Sequence, residues 1–324
     1  MNFGEVIIKI NPVKSPVESI ACNIDNRTLI VGQAATELDT PTLSMIDINN
    51  GEVIKTIEKS SNFNNSVWKL LIDKTGEYIV YLKQLYNGDN RYNIVIYNIK
   101  TEEKTVILDV ENNDQYKSLI ITPENKLVIG IDNTIQFWNI EHKERIEVIT
   151  INEEKDIDDP HCYLSLAFTS DNHLMAIGGL KEEQILIFDL VKKEIINRVS
   201  INFSFPRSIQ FNNTDKYLFI ADYWQGGFYV WSFDESSFYL DDMYNDEMEL
   251  ITTFALNKNG NNEWLSVGMK TSIVKIINSF EGKTLFKDKI HTGRISSVIF
   301  TPDNKKLISA GEDGQIIIRN VEVE

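Results

Sequence analysis

The groups in this 324-residue chain that could do chemistry are four histidines, two cysteines and two acidic runs. No pair among His142, His161, His173 and His291 has the close spacing of a metal-binding motif. They are read as solvated or capping side chains. Cys22 and Cys162 lie far apart in sequence, which suits a reducing, cytoplasmic setting better than a disulfide framework. Both are read as inert small hydrophobes. The runs Asp156–Asp159 and Asp241–Glu247 lack the ligand spacing of an EF-hand and are read as solvated loops. A Gly-x-Ser-x-Gly nucleophile turn, a phosphate-cradling Gly loop and a dinucleotide fingerprint are all missing from the sequence. The sequence therefore leads to an expectation of no catalytic residue, no cofactor and no metal.

Composition narrows the partners. Lys plus Arg number 32 and Asp plus Glu 48, a formal net charge of −16. Phosphate contacts need clustered basic residues, so nucleic acid is not an expected partner. Anionic membrane surfaces are disfavoured for the same reason. No apolar run is long enough for a membrane-spanning helix, and the first residues lack the pattern of a secretory signal. With 42% apolar and 25% charged residues the chain has an ordinary globular balance. It holds 45 Ile and only 8 Ala. Ile favours strands and Ala favours helices, so a mostly helical protein is disfavoured.

The elements that position these groups come from a repeat. The C-terminal segment Ser297–Asn320 reads as strand, Pro-Asp-Asn turn, strand, Glu-Asp-Gly turn, strand. Copies begin at Ser208, Ser165 and Ser118, with weaker ones near Thr253, Lys69 and Ser19. The apolar anchors are Ile20, Leu70, Leu119, Leu166, Ile209, Phe254 and Val298, spaced 50, 49, 47, 43, 45 and 44 residues apart. A period of about 46 residues is that of a propeller blade. Third strands end at Asp47, Asn98, Asn139, Asp189, Ser232, Asn278 and Asn320, and most units continue into a fourth. The last unit stops after its third strand. The segment Asn2–Ile10 copies the fourth strand Asn50–Ile57 and is expected to fill that place through residues 3–10. The expected fold is all-β: a single seven-bladed β-propeller over 1–324, with four-stranded antiparallel blades, its ring closed by the N-terminal strand.

The units resemble the Trp-Asp (WD) repeat family of seven-bladed propellers. His291-Thr-Gly293 with Glu312-Asp-Gly314 carries the best match, followed by Asp132–Asn139. No unit has the Trp-Asp dipeptide, and Arg319 holds the Trp place in the last one. The resemblance implies an Asp–His–Ser–Trp hydrogen-bond set as a blade stabiliser, but no unit carries all four members. Stability is therefore expected mainly from apolar packing between blades, and replacing His291 is expected to cost less than in a regular member.

The resemblance also implies a non-catalytic platform for protein–protein interaction, acting through the top face and the channel mouth. The top face here is the one with the second-to-third-strand connections. The alternative reading is a propeller enzyme or a small-ligand or metal binder using the central channel. Extra residues in the top connections fall at Ala34–Pro41 and Leu85–Arg91, and Tyr223–Gly227 sits in the equivalent place. Trp, Tyr and Arg are enriched in interface hot spots. Candidate partner-binding residues are Trp68, Tyr86, Arg91, Arg207, Tyr223, Trp224, Tyr244 and Arg294. A second set lies two residues before each anchor, at Glu18, Trp68, Lys117, Leu164, Arg207, Thr252 and Ser296. Trp138 and Trp231 hold third-strand places and are expected to pack. The acidic balance points to a partner with basic patches. A monomeric propeller, or one subunit of a complex, is expected.

Overall fold

A computed structural model describes residues 5–11, 15–61, 65–85, 91–110, 117–131, 133–151, 164–179, 184–201, 206–222, 228–233, 237–239, 250–257, 264–279 and 281–321. Every element among them is a strand, with no helix.

β1 (Val6–Ile10) is followed by seven runs of strands. Blade one is β2 (Val17–Cys22), β3 (Thr28–Gln33), β4 (Pro41–Asp47) and β5 (Val53–Lys59). Blade two is β6 (Val67–Ile72), β7 (Tyr78–Leu85), β8 (Arg91–Asn98) and β9 (Lys104–Val110). Blade three is β10 (Lys117–Ile121), β11 (Lys126–Ile131), β12 (Thr134–Asn139) and β13 (Glu144–Thr150). Blade four is β14 (Ser165–Phe168), β15 (Leu174–Gly178), β16 (Gln184–Asp189) and β17 (Glu194–Ser200). Blade five is β18 (Pro206–Phe211), β19 (Tyr217–Asp222), β20 (Phe228–Ser232) and β21 (Ser237–Tyr239). Blade six is β22 (Ile251–Leu256), β23 (Trp264–Met269), β24 (Val274–Asn278) and β25 (Thr284–Asp288). Blade seven has β26 (Ile295–Phe300), β27 (Lys306–Gly311) and β28 (Ile316–Asn320), and β1 is its fourth strand. Each blade is a four-stranded antiparallel sheet, and in blades one to six the strands follow chain order.

Seven such blades, the last completed by the N-terminus, have the topology of a β-propeller. The N-terminal strand runs antiparallel to β28, with Ile8 opposite Ile318 and Ile10 opposite Ile316. Phe3 and Gly4, the first residues expected in that strand, lie outside the described residues. The contacts group the chain into two compact units, Met1–Asn112 with Thr252–Glu324, and Asn113–Ile251.

Local chemistry sets both kinds of turn. Between first and second strands, Asn26, Gly76, Asn125, Asn172, Asp215 and Asn304 take positive φ, from 55° to 75°. Gly, Asn and Asp tolerate that left-handed conformation best. Each turns its N–H back onto the carbonyl three residues earlier, at 2.8–3.1 Å. Third strands end where expected because their last side chain caps the next turn. Asp47, Asn98, Asn139, Asp189 and Asn278 each accept backbone N–H groups of that turn on a side-chain oxygen.

The isoleucines fill the spaces between blades, as expected. In the first unit, Ile10, Ile20, Ile46, Ile308, Ile316 and Ile318 join blades seven and one. Similar cores join blades one and two, and six and seven. In the second unit, apolar cores join blades three and four, and four and five. Burying one such side chain is worth about 1.5–3 kcal/mol.

The outer strands carry a recurrent irregularity. Against its third strand, the outermost strand holds one extra residue at Ile7, Ile54, Ile107, Ile146, Ile196 and Leu285. Such bulges twist an edge and discourage pairing with another chain.

Candidate functional site

The inner strands carry a second set of bulges, at the other end of the blades. Pairing of the first strand with the second skips one residue at Glu18, Trp68, Arg207 and Ser296. These are four of the seven positions singled out two residues before each anchor. In blades three and four the pairing runs without a slip from Lys117 and from Ser165. A bulged residue is released from the ladder and its side chain is re-aimed, and such positions favour functional sites.

Three of these bulges belong to the first unit, on adjoining blades seven, one and two. Blades one and two are joined at this end by an Ala34–Ser66 bridge and by the Ala35 N–H donating to the Asn65 carbonyl at 2.9 Å. Just below, the Leu70 N–H donates to Ser19 Oγ at 3.3 Å. Gly32 permits this approach, because a β-carbon there would meet the Val67 carbonyl at 2.8 Å. On the other side, Ser296 Oγ donates to the Val17 carbonyl, with the Ala310 carbonyl at 3.2 Å. Glu18 follows Val17 directly. It stands between Ser296 of blade seven and Trp68 of blade two.

The charges around Glu18 are unequal. Arg294 Nε lies 2.9 Å from Glu312 Oε1. Burial pushes the Glu18 carboxyl above the usual range; Arg294 opposes that shift and Glu312 adds to it. The guanidinium in contact with Glu312 is thus also the one whose field Glu18 feels. Trp68 is 50% exposed, and its indole N–H donates to Gln84 Oε1 at 2.8 Å. Its polar atom is satisfied within the protein, so its exposed surface is aromatic. Gln33, opposite Val17, is fully buried, and its Oε1 has no partner among the described residues.

Blade seven also holds His291, which is only 2% exposed. It is neither solvated nor a cap, as the sequence reading had it. Nδ1 lies 3.1 Å from Asp313 Oδ1, and Nε2 lies 2.9 Å from Ser309 Oγ. Asp313 also accepts the N–H groups of Thr292 at 2.8 Å and Gln315 at 3.1 Å. Three of the four residues of the set implied by the resemblance are therefore assembled. Arg319, in the Trp place, turns elsewhere: Nη2 donates to Asp288 Oδ2 at 2.5 Å, and the guanidinium lies 4.9 Å from the centre of the Phe286 ring.

The remaining candidates separate by location. Arg91 begins β8 and lies 3.5 Å from Asp109. Arg294 flanks Glu18 as described. Arg207 is a bulge of the second unit, and only its backbone is described. Tyr86, Tyr223, Trp224 and Tyr244 lie outside the described residues, as do His161, Cys162 and both acidic runs. Trp138 and Trp231 are buried, as expected. His142 is exposed, and His173 Nε2 lies 3.4 Å from Asp189 Oδ1. No cluster of three His, Cys, Asp or Glu suited to a metal ion occurs among the described residues.

Sequence reasoning missed Gln84 and Glu312 as members of the site. Once the bulge at Trp68 is known, the pairing of Val67 with Lys83 brings Gln84 alongside. Glu312 was read only as part of a turn.

Seven four-stranded blades define a β-propeller. Within it, residues 282–320 match the family model of the WD domain, G-beta repeat. This stretch runs from the outer strand of blade six through the third strand of blade seven, and it contains the His291–Asp313–Ser309 set. Propellers built from such repeats typically serve as protein-interaction scaffolds and are generally non-catalytic. No curated protein matches the chain.

Proposed function

We propose that this chain is a non-catalytic, WD-repeat-like scaffold that docks a protein partner at the bulged end of its blades. The observation that carries the reading is the recurrence of inner-strand bulges at Glu18, Trp68 and Ser296 on adjoining blades. The same local device releases side chains of different chemistry while Ile cores hold the strands beneath them. Variable side chains on a fixed frame are what a recognition surface needs. The acidic balance favours a partner with basic patches. A reducing, cytoplasmic setting belongs to the same proposal. Its support is the buried free thiol of Cys22, which burial above all pushes up to about 12, far from a reactive thiolate.

The test is capture of a stoichiometric partner by the intact chain, followed by comparison of two single variants. Trp68→Ala, at the bulged end, is expected to lose the partner. Lys100→Ala, in the exposed turn at the other end of blade two, is expected to keep it. The opposite pattern overturns the docking face.

A further inference from the structure

We infer that the Glu18–Trp68 site takes a cationic side chain, a Lys or Arg carried by an extended segment of the partner; this rests on the docking face proposed above. The argument starts from adjacency. Val67, the residue before Trp68, packs its carbonyl against Gly32, and Gly32 pairs with Ser19, the residue after Glu18. The carboxylate of blade one and the indole of blade two are thus released by equivalent bulges on neighbouring strands. Glu18 is half-buried and forms no ion pair among the described residues, and Arg294, on the adjoining blade, is held 2.9 Å from Glu312. One negative charge is left over at this place, and a partly buried carboxylate short of a counter-ion is costly. A partner cation would offset that cost.

Trp68 supplies the second half of the recognition. Its indole N–H is already bonded to Gln84, so the ring is held and the surface it offers is its π system. Trp is the best aromatic partner for ammonium and guanidinium groups. A carboxylate and an indole released by bulges on neighbouring strands discriminate by charge: a neutral side chain gains little from either, and an acidic one is repelled by Glu18 and Glu312. An anionic ligand is disfavoured because Arg294 is already paired with Glu312.

The probe is a set of four capped heptapeptides, all alanine except for a central Arg, Lys, Gln or Glu. They are titrated into the intact, nitrogen-15-labelled protein. The readout is the Trp68 indole N–H resonance, assigned with Trp68→Phe. The Arg and Lys peptides are expected to shift it and the Gln and Glu peptides to leave it in place; whichever of the first two binds more tightly names the cation. Glu18→Gln is expected to weaken the cationic peptide about three- to tenfold. The same variant is expected to fold and to melt no lower than the parent, because it removes a carboxylate that burial disfavours. The inference is overturned if the Gln peptide shifts the resonance as much as the Arg and Lys peptides do. It is also overturned if all four peptides are silent at millimolar concentration, or if Glu18→Gln binds as the parent does. A captured partner that needs Trp68 but is indifferent to Glu18→Gln would remove the cation while leaving the docking face standing.

Discussion

Replacing His291 by Ala tests whether the polar set in blade seven holds that blade together without its usual Trp. The ring is buried and bonds on both sides, to Asp313 and to Ser309. Removing it takes one donor from a carboxylate that keeps two backbone N–H groups, worth about 2 kcal/mol for a charged acceptor. It also leaves the Ser309 hydroxyl, itself buried, without this bond, at about 1 kcal/mol. The expected loss is about 3 kcal/mol, or about 4 °C in melting temperature for a chain of this size. Ser309→Ala breaks only the second bond and is expected to cost about 1 kcal/mol. The two losses are coupled, so the double variant should fall short of their sum by about 1 kcal/mol. Scanning calorimetry is the assay, read at the first transition because the chain forms two compact units. A His291→Ala loss under about 1 kcal/mol would refute the reasoning and restore the expectation drawn from the missing Trp.

Two further predictions concern the same blade. Ile10, 5% exposed, fills the core shared with Ile308, Ile316 and Ile318, whereas Ile7 is a bulged residue 40% exposed. Ile10→Ala is expected to cost about 3 kcal/mol and Ile7→Ala less than about 1, measured by thermal unfolding. Equal effects would refute the N-terminal strand as the fourth strand of blade seven. Burial lowers the His291 pKa from its usual value of 6.5, against the pull of Asp313, with Arg319 and Lys9 repelling the charged form. The unfolded chain therefore takes up a proton before the folded one does, and stability falls as pH drops below about 6.5. The melting temperature of the parent should decline from pH 7 to pH 5.5 more steeply than that of His291→Asn; parallel curves would refute the linkage. Asp313 acts in the same direction at lower pH. Burial raises its pKa, but the Thr292 and Gln315 N–H groups and His291 more than offset this, so its contribution is lost only below about 3.8.

The blade count was legible because two signals coincide in most of the repeats. The apolar anchors keep a steady period, and the described first turns carry a residue that their backbone demands. Asn26, Asn125, Asn172 and Asn304 take left-handed φ as Asn does most readily, and Asp47, Asn98 and Asp189 cap the next turn with their own oxygens. The copy of Asn50–Ile57 at the N-terminus was legible for the same reason, since a strand's edge must find a partner. Bulges were not legible as such. A bulge shifts the pairing by one residue without changing the apolar period on either side, so alternation alone places Trp68 on a strand but not off its ladder. The three-membered set around His291 was half legible. Its residue types were visible, but the burial that makes it a network depends on Asp313, 22 residues away.

The two families of bulges divide the labour of the fold. The outer set falls on Ile and Leu, mostly exposed residues of high strand propensity, and the extra residue bends the edge away from other chains. The inner set falls on Glu18, Trp68, Arg207 and Ser296, four side chains with nothing chemical in common. A structural requirement would select one residue type at equivalent places, as it does with Ile on the outer strands. Diversity at a conformation that recurs is the mark of positions whose side chains answer to something outside the fold. Ser296 shows how such a place reverts to structure: its hydroxyl spends itself on the Val17 carbonyl and ties blade seven to blade one. Among the described residues the side chains of Glu18 and Trp68 make no hydrogen bond to a neighbouring blade, and burial disfavours the charge of Glu18. A partner cation, as proposed, would offset that cost.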